Sequence, residues 1–125
     1  MFNLLLVMLG GAVGAGARHL TGRATLLAFG PNYPWGTLAV NLIGGLLMGV
    51  LAGTVSRIGE GGETWRLLLG VGVLGGFTTF SAFSLDTMLM LERGEWATAL
   101  FYILASVIGS VVALGVGLQL TRSLA

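Results

Sequence analysis

"GGFTTFSAFSLD", residues 75–86, sets Thr78, Thr79, Ser81, Ser84 and Asp86 among Phe77, Phe80 and Phe83, behind the pair Gly75-Gly76. The stretch lies inside an apolar segment, 67–91, whose single charged residue is Asp86. An ordinary buried helix would carry leucine at most of these positions. Glycine is a poor helix former, and hydroxyls compete for backbone hydrogen bonds. The segment is centred near Thr78, so these residues predict a helix broken near the midplane of a membrane span. Broken backbone at that depth persists only where protein or an ion satisfies it. Freed carbonyls suit a hard cation, and half-helix N-termini attract anions.

The surrounding composition fits a membrane setting. The chain has 125 residues, 55% hydrophobic and 9% charged, with no Lys and no Cys. Soluble domains carry about 25% charged residues, so this surface could not face water throughout. The whole chain, 1–125, reads as one all-α integral membrane domain. Without Cys it has no disulfide framework and no thiolate metal site. A net charge of +1 gives no sign of a nucleic-acid partner. Residues 1–17 carry no charged side chain and no basic segment precedes them, which predicts a retained first span and not a cleaved signal peptide.

Charged clusters divide the chain. Arg18, His19 and Arg23 follow the first apolar run; "FGPNYPWG" at 29–36 forms a turn; Arg57, Glu60, Glu63 and Arg66 surround a Gly-rich link; Glu92, Arg93 and Glu95 make a short turn. A spanning helix needs about 20 apolar residues. Four spans are therefore predicted near 3–27, 35–56, 65–91 and 96–121, with Arg18 near an interface or a water-filled mouth. One side of the membrane then holds Arg18, Arg23 and Arg93, the other Arg57, Arg66 and Arg122. Orientation follows the Lys/Arg excess, and this tie gives no instruction. It predicts dual insertion with antiparallel pairing of two copies, unless position or the N-terminal amine breaks the tie.

The 22 glycines are organised. Asn41, Gly45, Gly49 and Gly53 recur every four residues in the second span, and Ala105, Gly109, Ala113 and Gly117 do so in the fourth. Gly10 and Gly14 begin such a pattern in the first span, Gly72 and Gly76 in the third. Small residues at this spacing let helices approach closely in lipid, which leaves room for a small conducted species and not for a wide pore.

Polar side chains inside the spans are the candidate site. Asn41 is either interhelical glue or a pore group. Tyr102, Ser106 and Ser110 share one helical face at i, i+4, i+8, and either bond back to the preceding turn or form a hydroxyl track. Phe80 and Phe83 fall together at i, i+3; a phenyl ring has a positive edge, which can face a small anion as well as pack in a core. With Asn41, Thr79, Ser81 and Ser84 they compose a donor-rich, apolar-walled path with no buried lysine, suited to an anion held weakly enough to leave. Asp86 is favoured as a partner for Arg18, Arg23 or a hydroxyl over a role in coupling. His19 is assigned no role.

"GGAVGAGARHL" (10–20), "PWGTLAVNLIGG" (34–45) and "GGFTTFSAFSLD" resemble the three signature blocks of the fluoride channel family called Fluc or CrcB, over essentially the whole chain. The resemblance implies a dual-topology, antiparallel homodimer of four-span subunits in the bacterial inner (plasma) membrane, exporting fluoride passively through two pathways and relieving its toxicity. It implies Phe80 and Phe83 as pore phenylalanines, Asn41 as the pore asparagine, Tyr102, Ser106 and Ser110 as the track, and Arg18 at the vestibule. It further implies a structural Na+ on the dimer axis, held by the backbone carbonyls of Gly75 and Thr78 of both subunits. His19 stands where the family commonly has Tyr, and Asp86 where it commonly has Glu. Selectivity for fluoride over chloride comes from the resemblance and not from the residues.

Two other readings compete. A proton-coupled small multidrug exporter of the four-span antiparallel type wants a membrane-embedded acid in its first span, and 1–17 has none. An assembly subunit would need the glycine ladders but not the aligned Tyr102, Ser106 and Ser110. An enzyme is disfavoured, because no paired carboxylates, nucleophile–base pattern or metal-ligand cluster is present in the sequence.

Overall fold

A computed structural model describes residues 1–124. Four helical segments are long and apolar enough to cross a membrane: Phe2–Phe29, Trp35–Ile58, Gly62–Glu92 and Trp96–Ser123. Each predicted span lies within one of these, and the helices run one to three residues further at most ends. Their limits follow local chemistry. Gly30, at φ 82°, closes the first helix while its N–H bonds the Leu26 carbonyl, and Pro34 immediately precedes the second. The turn after Glu92 relies on Gly94 at φ 78°.

The spans pack as two close pairs, second on fourth and first on third. The glycine ladders are the contact surfaces. A Cβ at Gly45 would lie 2.8 Å from the Ser110 carbonyl oxygen, and one at Gly49 3.0 Å from the Leu114 Cα. On the other pair, a Cβ at Gly72 would sit 3.0 Å from the Gly10 Cα, and one at Gly76 2.6 Å from the Gly11 carbonyl oxygen. Backbone meets backbone at each of these points, as lipid-embedded helices require when small residues set the distance. Arg57 closes one end of the second–fourth pair by donating to the Thr121 carbonyl, in the last turn of the fourth helix, where a cation is favoured.

The third segment is the irregular one. It is α-helical over Gly62–Trp65, winds as a π-helix over Arg66–Leu74 and returns to α over Gly75–Phe77. Thr78 is then extended (φ −82°, ψ 161°), and a new helix runs over Ser81–Glu92. The π winding was not anticipated from the residues. The small aromatic core lies along this second half, where Phe83, Met90, Ala99 and Tyr102 are buried together with Tyr33 packed against them.

Candidate functional site

The site is built around residues 78–80. Asn41, projecting from the second helix, makes a reciprocal pair with the Thr79 peptide. Its Nδ2 donates to the Thr79 carbonyl (2.9 Å) and its Oδ1 accepts from the Thr79 N–H (2.9 Å). Only this orientation of the amide satisfies both Thr79 groups. The Thr79 hydroxyl oxygen accepts from the Ala82 N–H at 3.2 Å, meeting one of the free N–H groups in the first turn of the second half-helix.

These bonds change which carbonyls are served. In a continuous α-helix the Thr79 N–H would reach Gly75 and the Ala82 N–H would reach Thr78. Both donors are engaged elsewhere, by Asn41 and by the Thr79 side chain. The carbonyl between them in sequence, Gly76, accepts from Arg18 Nε at 3.2 Å. Gly75 itself is exposed on the protomer. Carbonyl oxygens are ligands for hard cations, so the pair assigned to sodium by resemblance is chemically suited to it. Among the described residues no group of three or more His, Asp or Glu offers a metal site.

Two cavities meet at Thr79. One is a cup of about 310 Å³ lined by Arg18, His19, Arg23, Thr37, Val40 and Thr79 among others. Its basic side chains favour anions at the entrance. The other is an open, mostly apolar groove of about 420 Å³ that includes Asn41, Thr79, Phe80, Phe83, Ser106 and Ser110 in its lining. Phe83 is buried while Phe80 is 76% exposed, and their ring centroids are 5.6 Å apart at a 45° tilt.

The hydroxyls divide by what they already bond. Ser84 Oγ donates to the Phe80 carbonyl (2.9 Å), the back-bonded arrangement of a helix interior, so its proton is not turned to the groove. Ser81 Oγ lies 3.4 Å from the Thr79 hydroxyl. Ser106 Oγ is buried and has no hydrogen-bond partner. Tyr102, fully buried, does not line the groove; its hydroxyl donates to Asp86 Oδ2 at 3.1 Å. Asp86 is thus paired with a hydroxyl, one of the partners considered for it, and not with either arginine. The three track residues share a face, but only Ser106 and Ser110 reach the groove.

Tyr33 is a residue the sequence reading passed over as part of a turn. Its ring meets Tyr102 edge-on, centroids 5.6 Å apart at 85°, and burial pushes its phenol above the ordinary value. The Tyr–Pro pair within an otherwise open turn was the available signal. Arg18, expected at the vestibule, donates from Nε to the Gly76 carbonyl and so joins the first helix to the irregular third segment, a contact across 58 residues.

Residues 5–118 match the family described as "CrcB-like protein, Camphor Resistance (CrcB)". The chain is 56% identical over 124 residues to a protein of Sphingopyxis alaskensis named "Fluoride-specific ion channel FluC", a match covering 99% of this chain and 98% of that one. Proteins of the same name from Mesorhizobium japonicum and Phenylobacterium zucineum are 54% and 58% identical, over 99% and 98% of this chain and 99% and 97% of theirs.

Proposed function

Because the chain belongs to the CrcB family, whose relatives carry the name fluoride-specific ion channel, we propose that it conducts fluoride passively down its electrochemical gradient, exporting it and limiting its toxicity. It is a channel and not an enzyme. The observation that carries the reading is Ser106. A buried hydroxyl without a partner is unfavourable by roughly 1–3 kcal/mol, and this one is buried in a residue that borders a groove with two phenylalanines. A small anion passing there supplies the missing acceptor, while the positive ring edges of Phe80 and Phe83 add weak attraction. The cup at Arg18 and Arg23 gathers the ion, and Asn41, Ser106 and Ser110 offer successive donors beyond it. Ser84 gives its proton to the Phe80 carbonyl, whereas Thr79 and Ser81 share one contact and keep a hydroxyl proton between them to offer.

The finer architecture belongs to the same proposal. The functional unit is an antiparallel homodimer in the plasma membrane, with residues 78–80 near the bilayer midplane. The balance of three arginines against three and the exposure of Gly75 support it. Na+ binds on the dimer axis through the Gly75 and Thr78 carbonyls of both copies and holds the assembly.

The test is fluoride efflux from liposomes containing the pure protein. Fast, electrogenic flux indifferent to a proton gradient is expected, with loss of flux in Phe80→Ile. Absence of fluoride flux, or flux that follows the proton gradient, would remove the reading.

A further inference from the structure

The cup and the groove are separate cavities that share Thr79, and the Thr79 peptide is held on both of its polar groups by one side chain, Asn41. We infer that Asn41 is a positioning residue. It acts through Thr79, locking the interruption in a single protomer and maintaining the partition between cup and groove.

An amide side chain has two N–H donors and one carbonyl acceptor. Thr79 takes the acceptor and one donor. Asn41 therefore has one N–H left to offer an ion, and most of its hydrogen-bonding capacity goes to backbone. The geometry imitates the pairing of neighbouring strands: one residue, its N–H and its carbonyl both met from the side. It is the contact that replaces the helical bond lost at Thr79. Without it the Thr79 N–H and carbonyl would lie in an apolar bundle unpaired, or would rejoin the helix. Rejoining would return the Thr79 N–H to Gly75 and move Thr79 away from the wall it forms. The latch needs neither ion nor partner subunit, so the interruption is pre-organised before either arrives.

This inference deepens the channel reading and rests on it for its consequence, but it is measured separately. Amide hydrogen exchange is followed by mass spectrometry on the full chain in lipid nanodiscs, alongside fluoride efflux. In the unaltered protein the Thr79 amide is expected to exchange slowly, although it has no helical acceptor. Asn41→Ala removes both bonds to Thr79 and should accelerate exchange about tenfold or more across 77–83, as expected for losing two such bonds, and leave the fourth span unchanged. Asn41→Asp keeps an acceptor for the Thr79 N–H but sets an oxygen against the Thr79 carbonyl, so it should also accelerate exchange locally and lose flux. Flux lost in both variants with exchange unchanged at 77–83 would overturn the inference and leave Asn41 as an ion ligand. A Thr79 amide that exchanges at loop rates in the unaltered protein would overturn it without any variant. Slow Thr79 exchange in a protein that passes no fluoride would uphold the latch and remove the channel reading.

Discussion

Gly49 offers the sharpest test of how the bundle is held. One of its Cα hydrogens faces the fourth helix at backbone level: an added Cβ would overlap the Leu114 carbonyl oxygen and lie 2.9 Å from the Leu114 carbonyl carbon and 3.0 Å from its Cα. Favourable carbon contacts lie near 3.5–4.0 Å and the carbonyl oxygen is the nearest obstacle, so the helices must part by about 1 Å at this level. The obstacle is main chain, and no rotamer change relieves it. A gap of that size forfeits about a quarter to a half of each dispersion contact on either side, and overpacking of this type typically costs about 1–3 kcal/mol. Alanine also improves helix propensity by about 1 kcal/mol, which would mask part of the loss. Gly115 supplies the reference, because it lies in the fourth helix and a Cβ there meets nothing within 4 Å. Propensity affects Gly49→Ala and Gly115→Ala alike, so their difference isolates the overpacking and should be about 1–3 kcal/mol. Reversible unfolding in mixed detergent micelles measures it. Equal stability of the two variants would refute the claim that backbone contact at Gly49 sets the separation of the second and fourth helices.

Other outcomes are expected. Ser106→Ala removes an unpartnered buried hydroxyl, so stability should hold or rise slightly while fluoride efflux falls; a destabilised variant with unchanged flux would show that the hydroxyl is merely structural. Tyr102→Phe deletes the bond to Asp86 and should lower stability by about 0.5–1.5 kcal/mol, the usual net value of one hydrogen bond, with thermal unfolding as the measure. A reporter fused after Ala125 should give signal from both sides of the membrane; signal from one side alone would defeat dual insertion.

Much of the fold was readable because charge and glycine act locally. Arg57, Arg66 and the Glu92–Glu95 turn mark span ends through the cost of placing charge in hydrocarbon, and the helices begin or stop close to them, whereas the first helix runs on past Arg18 to Phe29. The ladders revealed which faces pack, since only small residues permit such approach. They did not reveal which helix meets which, because Gly10 and Gly45 look alike until partners are chosen. The π winding over Arg66–Leu74 was hidden for a related reason: a shift from i−4 to i−5 bonding depends on the packing of Gly70 and Gly72 against other helices, which has no local signature. At the site, spacing put Tyr102, Ser106 and Ser110 on one face, but the Asp86 partner of Tyr102 comes from another helix. Two rival duties of Asn41 could be named from its position alone. The structure supplies the Thr79 contact that favours one of them.

The hydroxyls show why composition alone could not sort the pathway. Thr21, Thr25, Thr54, Ser84 and Thr87 each give their proton to a carbonyl of the preceding turn, the cheapest way to carry a hydroxyl through hydrocarbon. Ser106 is a residue of the same chemistry on a helix of the same kind, yet its oxygen is buried and unbonded. The difference is not propensity but neighbourhood: the groove beside Ser106 has room that no protein atom fills. On the proposed channel reading, a donor that has declined the nearby carbonyl, in a residue bordering a phenyl-edged groove, is the one to meet an acceptor that comes and goes. A donor that is already bonded must first break a hydrogen bond to do the same. For an ion that must leave as readily as it enters, weak and successive contacts of the first kind are the useful ones, and the fixed bonds of the second kind keep the interruption in shape around them.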